Sequence, residues 1–282
     1  MSDKLTPVSI RKLLKWILSE YHHSDSMMGI HKGQFFSPST SDPFRLTRYG
    51  TRLETPLGVA AGPHTQLSQN IITSWLCGAR YMELKTIQTL DELEVAKPCI
   101  DMEDEGYNCE WSQELKLRQS HDEYLNAWIL IHILRDYLKM DECPGTGTIF
   151  NMSAGYNLAG ILNDNVQDFL NLMENSTHLI HAKLSEIEDL YPVHTLTIPE
   201  KISDNLTLST MHGCPPEEIG RIARYFIEDR HYHVAVKLNP TLLGPDSLRQ
   251  LLNHQLGVTD ITAPDIAFEH DLTYEDSLLL IS

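Results

Sequence analysis

The feature that most constrains this chain is a repeated alternation of short apolar runs with helix-type patterns, which begins near residue 55. Short apolar runs are typical of buried strands, and the segments between them carry apolar residues at helical spacing. Strands that alternate with helices pair in parallel through right-handed crossovers, so the sequence predicts an α/β fold. The predicted strands cover residues 57–61, 81–86, 148–153, 205–210, 234–238 and 258–262.

Polar residues or glycine stand at or just beyond the C-terminal ends of these predicted strands. In a (β/α)8 barrel of the TIM type, those ends converge on one mouth, where the chemistry takes place. A doubly wound sheet is the alternative that periodicity leaves open, since a closed barrel needs eight strands and we predict about six βα units. We favour the barrel, truncated to those units. The residues at the strand ends are Gly62, Lys85, Asn151, Thr210 and Asn239.

Two segments stand apart from the alternation. Residues 1–54 are predicted to be a lead-in with one amphipathic helix, at Ser9–Tyr21, docked on the partial barrel of residues 55–282. Residues 87–147 separate the second and third strands and contain a long helical pattern, at about Gln113–Lys139. Because a usual crossover takes about a dozen residues or somewhat more, we predict a helical insertion after strand 2.

The charge balance excludes several classes of partner. The chain has 22 Lys+Arg against 39 Asp+Glu, a net charge of −17, which repels nucleic acid and anionic membrane surfaces. Its 5 cysteines are scattered without a Cys-x-x-Cys pair, so neither a disulfide framework nor a zinc or iron–sulfur site is indicated. We find no apolar run long enough to span a membrane. These features favour a cytoplasmic protein.

Two lysines follow apolar runs, and both are candidates for ligand binding. Lys85 and Lys237 come at the ends of the second and fifth predicted strands. A cation in such a place must meet an anion or a polarised ligand atom, although a salt bridge that caps the barrel is an equal alternative for Lys85. Two lysines at one mouth of an acidic protein indicate an anionic ligand.

Residues 151–157 bring amide groups to a loop after the third strand. Asn151 and Asn157 suit hydrogen bonding to the carbonyl and amide edges of a ring. Capping of the loop by these side chains is an equal alternative.

Residues 207–216 concentrate hydroxyl, imidazole and thiol groups between a strand and a helix, a cluster that few structural needs explain. A metal bound by His212 and Cys214 is disfavoured, because no further ligands stand at useful spacing. We therefore predict no metal site.

Three runs carry a family resemblance: Ala60 to Gln66, residues 209–216 and residues 237–244. Together they resemble the FMN-binding barrel of the dihydroorotate and dihydropyrimidine dehydrogenases, and most of all the YgfK-type selenate reductase subunits, which are iron–sulfur flavoproteins. The likeness extends from the N-terminal helix to about Asp271. It implies an oxidoreductase that transfers a hydride between flavin and a small substrate.

The resemblance covers only the N-terminal part of that family. There the barrel continues through two further strands that hold the flavin phosphate, and iron–sulfur modules follow. The resemblance therefore implies that residues 55–282 form a partial FMN-binding barrel, that iron–sulfur clusters belong to the missing C-terminal part, and that this chain alone binds FMN weakly or not at all.

The resemblance also implies roles for individual residues. Thr210 falls where the dehydrogenases place a Cys or Ser that moves a proton, and the thiol of Cys214 is the other candidate. Cofactor contacts are expected from Ala60, Ala61, Gly62, Lys85, Thr86, Asn151 and Lys237. Substrate contacts are expected from Asn157, Ser209, His212 and Asn239.

The alternative is a non-catalytic fragment or subunit. A six-strand remnant leaves two edges unpaired, and exposed edges invite self-association or pairing with a redox partner subunit that completes the barrel. A yellow purified protein favours the enzyme, and a colourless one favours the fragment.

Overall fold

The computed structural model describes residues 5–87, 89–90, 100–101, 107–108, 114–140, 147–209, 216–269 and 271–281. Three predicted site residues, Thr210, His212 and Cys214, lie outside these ranges. The strands, in chain order, are β1 (Ser26–Met27), β2 (Ile30–His31), β3 (Leu46–Arg48), β4 (Thr51–Leu53), β5 (Gly58–Val59), β6 (Tyr81–Glu83), β7 (Ile100–Asp101), β8 (Tyr107–Asn108), β9 (Ile149–Ala154), β10 (Asn205–Ser209) and β11 (His233–Lys237).

The helices surround one sheet and connect its strands. Two of them run on into π-helical turns, α7 through Tyr225–Asp229 and α8 through Gln250–Gln255. The α-helices are α1 (Ile10–Ser24), α2 (Ser68–Leu76), α3 (Leu117–Tyr137), α4 (Leu158–Ile161), α5 (Asp164–Glu174), α6 (Thr177–Ser185), α7 (Ile219–Arg224), α8 (Pro245–Arg249), α9 (Ile266–Glu269) and α10 (Tyr274–Ile281). Short 3-10 turns cover Lys32–Gln34, Pro63–Gln66, Val193–Thr195, Pro216–Glu218 and Pro240–Leu243.

The central sheet is parallel and has the order β11-β10-β9-β6-β5. Each of its strands lies beside the sheet strand that precedes it in the chain, and the order never reverses. A doubly wound sheet would reverse at a switch point, so this progression is that of a barrel wall. The sheet is open between β5 and β11 over the described residues. The predicted α/β class and barrel-type topology are confirmed, as are five of the predicted strands.

The predicted sixth strand is wrong, since residues 258–262 form no strand. The side-chain amide of Asn253 donates to the carbonyl oxygens of Val258 (2.7 Å) and Ile261 (2.8 Å). Gly257, with φ of +70°, turns the chain before this segment. These local bonds hold the backbone in a compact loop, and an apolar run by itself does not reveal them.

The predicted long helix between the second and third strands is α3, and its packing defines its role. Of its 21 residues, 15 are buried, because it packs between α2 and α5. A helix that is buried around most of its circumference belongs to a core. It also connects β6 to the adjacent parallel strand β9, as a crossover helix does. The additional length within residues 87–147 therefore lies before and after the helix.

The N-terminal helix α1 docks on the same core, as predicted. Ser9 is its N-cap, and the side-chain oxygen of Ser9 accepts from the backbone N–H of Lys12 at 3.4 Å. The apolar stripe of α1 is fully buried in the core that the sheet and α3 share. Its members are Ile10, Leu13, Leu14 and Ile17.

A buried ion network lies at the amino-terminal end of the sheet. One carboxylate oxygen of Glu54, which follows β4, accepts from Nε of Arg80 at 2.5 Å, and the other accepts from Arg135 at 2.8 Å. Arg80 immediately precedes β6, and Arg135 lies in the last turn of α3. Gly147 has φ of +61°, and a β-carbon there would lie 2.5 Å from the Glu54 carboxyl carbon. The network therefore ties β4, β6 and α3 together where β9 begins.

Candidate functional site

Strands β9 and β10 separate apolar from polar side chains because successive residues of a strand face opposite sides. Phe150, Met152 and their β10 neighbours Leu206 and Leu208 pack into the hydrophobic core with the helices. The alternate residues lie on the opposite face of the sheet, and all are at least nine-tenths buried. These rows begin at Ile149 and Asn205, and the Asn205 side-chain oxygen is likewise buried without a hydrogen-bond partner among the described residues. We call the polar residues that follow in the two rows the polar face; they are Asn151, Ser153, Thr207 and Ser209.

Hydrogen bonds connect the polar face across neighbouring strands. The amide nitrogen of Asn151 donates to the Thr207 hydroxyl at 2.7 Å, and the hydroxyls of Thr86 and Ser153 are 2.9 Å apart. The side-chain oxygen of Asn151 is buried, and it has no hydrogen-bond partner among the described residues. An unsatisfied buried acceptor costs about 1–3 kcal/mol, so this oxygen is a place where a ligand donor is stabilising.

Both predicted lysines lie at the carboxyl-terminal end of the sheet, as expected. Lys85 follows the end of β6 by two residues and is only 2% exposed. Lys237 is the last residue of β11 and is exposed. Three strand spacings separate β6 from β11, which places the two backbones about 14 Å apart along the sheet. The lysines therefore flank the polar face at the same end.

The loop after β5 is closed by its own hydrogen bonds. Both the backbone N–H and the hydroxyl of Thr65 donate to the Gly62 carbonyl, each at 3.0 Å. Gly62 is buried, whereas Ala60 is exposed and Ala61 is half-buried. The loop thus presents backbone with very small side chains at the carboxyl-terminal end of the sheet.

His64 belongs to this loop and was absent from the predicted site residues. A β-carbon on Gly62 would lie 2.6 Å from Cε1 and 2.8 Å from Nδ1 of His64, so the imidazole ring lies directly over Gly62. The ring also hydrogen-bonds to the backbone of Ala60. Partial desolvation lowers the pKa of His64 and is the largest influence; the Ala60 backbone acts in the opposite direction, and the charge of Lys85 lowers the pKa a little further.

Two buried polar residues hold the base of the same loop against α3. One oxygen of Glu123 accepts from the backbone N–H of Ser68 at 2.7 Å and from its hydroxyl at 2.8 Å, and thereby caps α2. Desolvation raises the pKa of Glu123, although these bonds from Ser68 act in the opposite direction. The side-chain oxygen of Gln66 accepts from the backbone N–H of Glu114 at 2.8 Å. The loop is therefore fixed from behind.

Two predicted substrate residues have structural partners instead. Asn157 is the N-cap of α4, and its side-chain oxygen accepts from the N–H of Gly160 at 2.8 Å. The amide of Asn239 donates to Asp271 at 2.8 Å, and the Thr241 hydroxyl donates to the same carboxylate. For Asn157 the capping interpretation is thus the one that the geometry favours. Ser209 stays within the polar face.

Sequence reasoning also missed Ser153 and Glu83. Ser153 is on the polar face, and Glu83 pairs in register with Asn151 on the neighbouring strand β6. The signal that could have found them is the two-residue period, with a polar residue at every second position of β9 and β10. That alternation is visible in the sequence, but which face it lines is not.

No group of three or more His, Cys, Asp or Glu side chains within the described residues could hold a metal ion. None of the helices in the described ranges is long and apolar enough to cross a membrane.

Comparison with known proteins identifies relatives. The sequence profile of the family described as "Oxidoreductase YgfK, N-terminal TIM-barrel domain" matches residues 28–282. The protein YgfK of Escherichia coli (strain K12) carries a provisional oxidoreductase name. It is 41% identical to this chain over 301 aligned positions, which cover 100% of the chain. YgfK of Escherichia coli O157:H7 matches with the same 41% identity. The chain spans only 29% of the length of either relative.

One solved structure resembles the chain more distantly. The ligand-free dihydroorotate dehydrogenase of Eimeria tenella aligns with a TM-score of 0.37 and 16% identity, over 79% of this chain and 69% of that one. A likeness this weak carries no argument about the site.

Proposed function

The chain belongs to the family of YgfK N-terminal TIM-barrel oxidoreductase domains, and we propose that it forms the flavin-binding face of an FMN-dependent enzyme. In this proposal a hydride passes between FMN and a small, flat substrate at the carboxyl-terminal end of the sheet. The observation that carries it is the polar face, where the buried Asn151 keeps an unpaired oxygen beside strands that end near Lys85 and Lys237.

The residues of this end fit a flavin ring. Ala60 is exposed and Ala61 half-buried, and their small side chains leave backbone accessible for a flat ring to lie against. The orphaned oxygen of Asn151 can accept from a ring N–H, and Lys85 is a cation of the kind that an electron-rich ring edge requires. When bound, FMN supplies a ring that can take up and release a hydride.

The chain's own residues would bind and orient the flavin and would move a proton to or from the substrate. Lys85 and Lys237 would stabilise the negative charge that develops at the edge of the ring. The Thr86–Ser153 bond would hold the end of β6 against β9, so that the cation keeps its place. Thr210 and Cys214 are the candidates for moving a proton to or from the substrate, and both lie outside the described residues. Iron–sulfur modules as electron partners, and selenate as an acceptor, extend the same proposal to the longer relatives.

Titration of the chain with FMN and with riboflavin, followed by flavin fluorescence, tests the proposal. Charge-assisted bonds to the phosphate contribute about 1.5–3 kcal/mol each, and the resemblance places them on further strands. The residues that this proposal assigns contact the flavin ring, so we expect weak binding with similar affinities for FMN and riboflavin. A longer polypeptide that contains the following segment should bind FMN tightly and be yellow.

A matched pair of variants makes the titration specific. Asn151 and Asn126 are both fully buried asparagines with an unpaired side-chain oxygen, but Asn126 lies within α3. Asn151→Leu should lower riboflavin affinity about tenfold or more, whereas Asn126→Leu should leave it unchanged. Stoichiometric FMN uptake at micromolar concentration would contradict the expected lack of a phosphate site. If neither the chain nor the longer polypeptide binds any flavin, the proposed function is wrong.

A second candidate is a subunit or fragment that acts only when a partner completes the barrel. The observation in its favour is the edge strand β11, which is partly exposed, unlike the fully buried β10. Large exposed apolar side chains follow it; they are Leu238, Leu243, Leu251, Leu256 and Ile261. Light scattering on the isolated chain distinguishes the two, because self-association that ends when the following segment is present supports the partner role.

A further inference from the structure

The relation between Gly62 and His64 is specific to this loop. The imidazole ring occupies the space into which a side chain at position 62 would project, with 2.6 Å between Cε1 and the position of a β-carbon. Real β-carbons do not approach so closely, so the ring can lie there only because residue 62 is glycine. The Thr65 hydroxyl closes the turn by donating to the Gly62 carbonyl, and the imidazole ring of His64 covers the Gly62 α-carbon.

The His64 ring interacts with the Ala60 backbone, an interaction that favours an imidazole N–H directed at that carbonyl. A neutral imidazole has one N–H, which donates to a carbonyl, and one nitrogen that only accepts. Lys85 is the charged group that acts on the ring among the described residues, and it disfavours a second positive charge. The single N–H of the His64 ring therefore links the turn at residues 62–65 to the backbone of Ala60, which follows β5.

We propose that His64 is a positioning residue that locks the Ala60–Gly62 backbone in the shape on which the flat ring of a flavin lies. This inference rests on the proposed function, since the flavin supplies the surface that the locked backbone would meet. The lock has two parts, the donor to Ala60 and the space over Gly62. Either part can be removed separately, and both removals should have the same consequence.

The first measurement follows the lock without any ligand. In the 282-residue chain, NMR titration of the histidine Cε1–H signals should give a pKa of His64 below its ordinary 6.5. His64 is already exposed, and Gly62→Ala should move its ring further from the backbone and raise that pKa towards 6.5. The control is Gly33→Ala, because a β-carbon on Gly33 also faces a histidine ring, that of His31, at 3.3 Å but in a different turn. It should leave His64 unchanged.

The second measurement uses riboflavin, whose ring contacts the chain without a phosphate. We expect His64→Ala and Gly62→Ala each to lower riboflavin affinity about tenfold, and the double variant to lose no more than either alone. His64→Gln keeps an N–H donor and should recover most of the affinity. Because an imidazolium also donates to a carbonyl, acid should not release the lock, and affinity should not depend on the protonation of His64. Loss of packing alone would not be rescued by His64→Gln.

The outcomes separate the two proposals. An ordinary pKa for His64 that Gly62→Ala does not move, or full riboflavin affinity in His64→Ala, overturns the lock. If riboflavin never binds, even to the longer polypeptide, while His64 titrates as expected and responds to Gly62→Ala, the flavin function fails but the backbone lock is supported.

Discussion

At the amino-terminal end of the sheet, the carboxylate of Glu54 meets two buried arginines, Arg80 and Arg135, within 2.8 Å. In the middle of β9, on the polar face, the buried Asn151 keeps an oxygen without a partner among the described residues. Both regions bury polar groups at a cost in desolvation. In the first region the charged groups pair with one another, whereas in the second the Asn151 oxygen has no such partner.

The difference shows which end is built for stability and which for a ligand. The ion pairs of Glu54 tie β4, β6 and α3 to one another within the chain. A face with unmet hydrogen-bonding capacity gains stabilisation only when another molecule supplies the missing donors. In barrels of this type, residues at the carboxyl-terminal end perform the chemistry and those at the other end support the fold.

The largest effect is expected from Glu54→Gln, which breaks the network at the amino-terminal end. Removal of one partner of a buried ion network costs about 3–5 kcal/mol, because the arginines remain buried. Urea unfolding should show this loss in the free energy of unfolding. Asp189→Asn is the control, because its ion pair with Arg11 is exposed to solvent and should contribute no measurable stability. If the two variants unfold alike, the amino-terminal end does not stabilise the fold as we describe.

The next effect comes from α3, which joins the two ends. Burial lowers the pKa of His121 to about 4, and its ring nitrogen lies 3.0 Å from the Ser176 hydroxyl. The unfolded chain takes up this proton near pH 6.5, before the folded chain does, so acid destabilises the fold between pH 6.5 and about 4. The shift corresponds to up to about 3 kcal/mol.

Unfolding free energies measured across this pH range check the prediction. His121→Gln should remove part of the slope, and the half-buried His132, whose pKa is also lowered to about 4 by desolvation, should account for much of the rest. The variant His22→Gln, at an exposed position of α1, should keep the full slope. A slope that is the same in wild type and His121→Gln would mean that His121 titrates normally.

A smaller effect, on ligand affinity, tests the opposite end directly. Lys237→Met should lower riboflavin affinity about tenfold while leaving the melting temperature unchanged, because Lys237 is exposed and would contact the ligand. Lys201→Met is its counterpart near the other end, where the ammonium pairs with Asp204 at 2.9 Å. Affinity should not change in that variant. Equal losses in both would show that the lysines act through overall charge.

The smallest effect concerns the Thr86–Ser153 hydrogen bond at the rim of the polar face. A double-mutant cycle with Thr86→Val and Ser153→Ala should give a coupling energy of about 1 kcal/mol in chemical unfolding. The same cycle on Ser39 and Ser41, whose hydroxyls are 2.8 Å apart but exposed, should give none. A coupling of zero in both cycles would mean that the Thr86–Ser153 hydrogen bond does not stabilise the fold.

The sequence predicted the placement of several site residues correctly because position along a parallel strand determines the end of the sheet. Lys85 and Lys237 share one end for this reason. Asn151 was expected at the end of its strand, but it is the third of the six residues of β9, because the strand continues to Ala154. The roles of these residues stay predictions. Asn157 could not be assigned from sequence, because an asparagine that caps a helix and one that binds a ligand look the same until the following backbone is placed.

By itself the sequence determined the class of fold, since periods of 2 and 3.6 residues specify strands and helices, and their alternation requires parallel pairing. It also determined where α1 begins and which stripe of that helix is buried. Only the tertiary structure decided that His64 lies over Gly62 and that Glu54 unites Arg80 with Arg135. Only it excluded a strand at residues 258–262. These contacts depend on how the elements pack and on local hydrogen bonds. Neither produces a periodic pattern of residues, so the sequence does not reveal them.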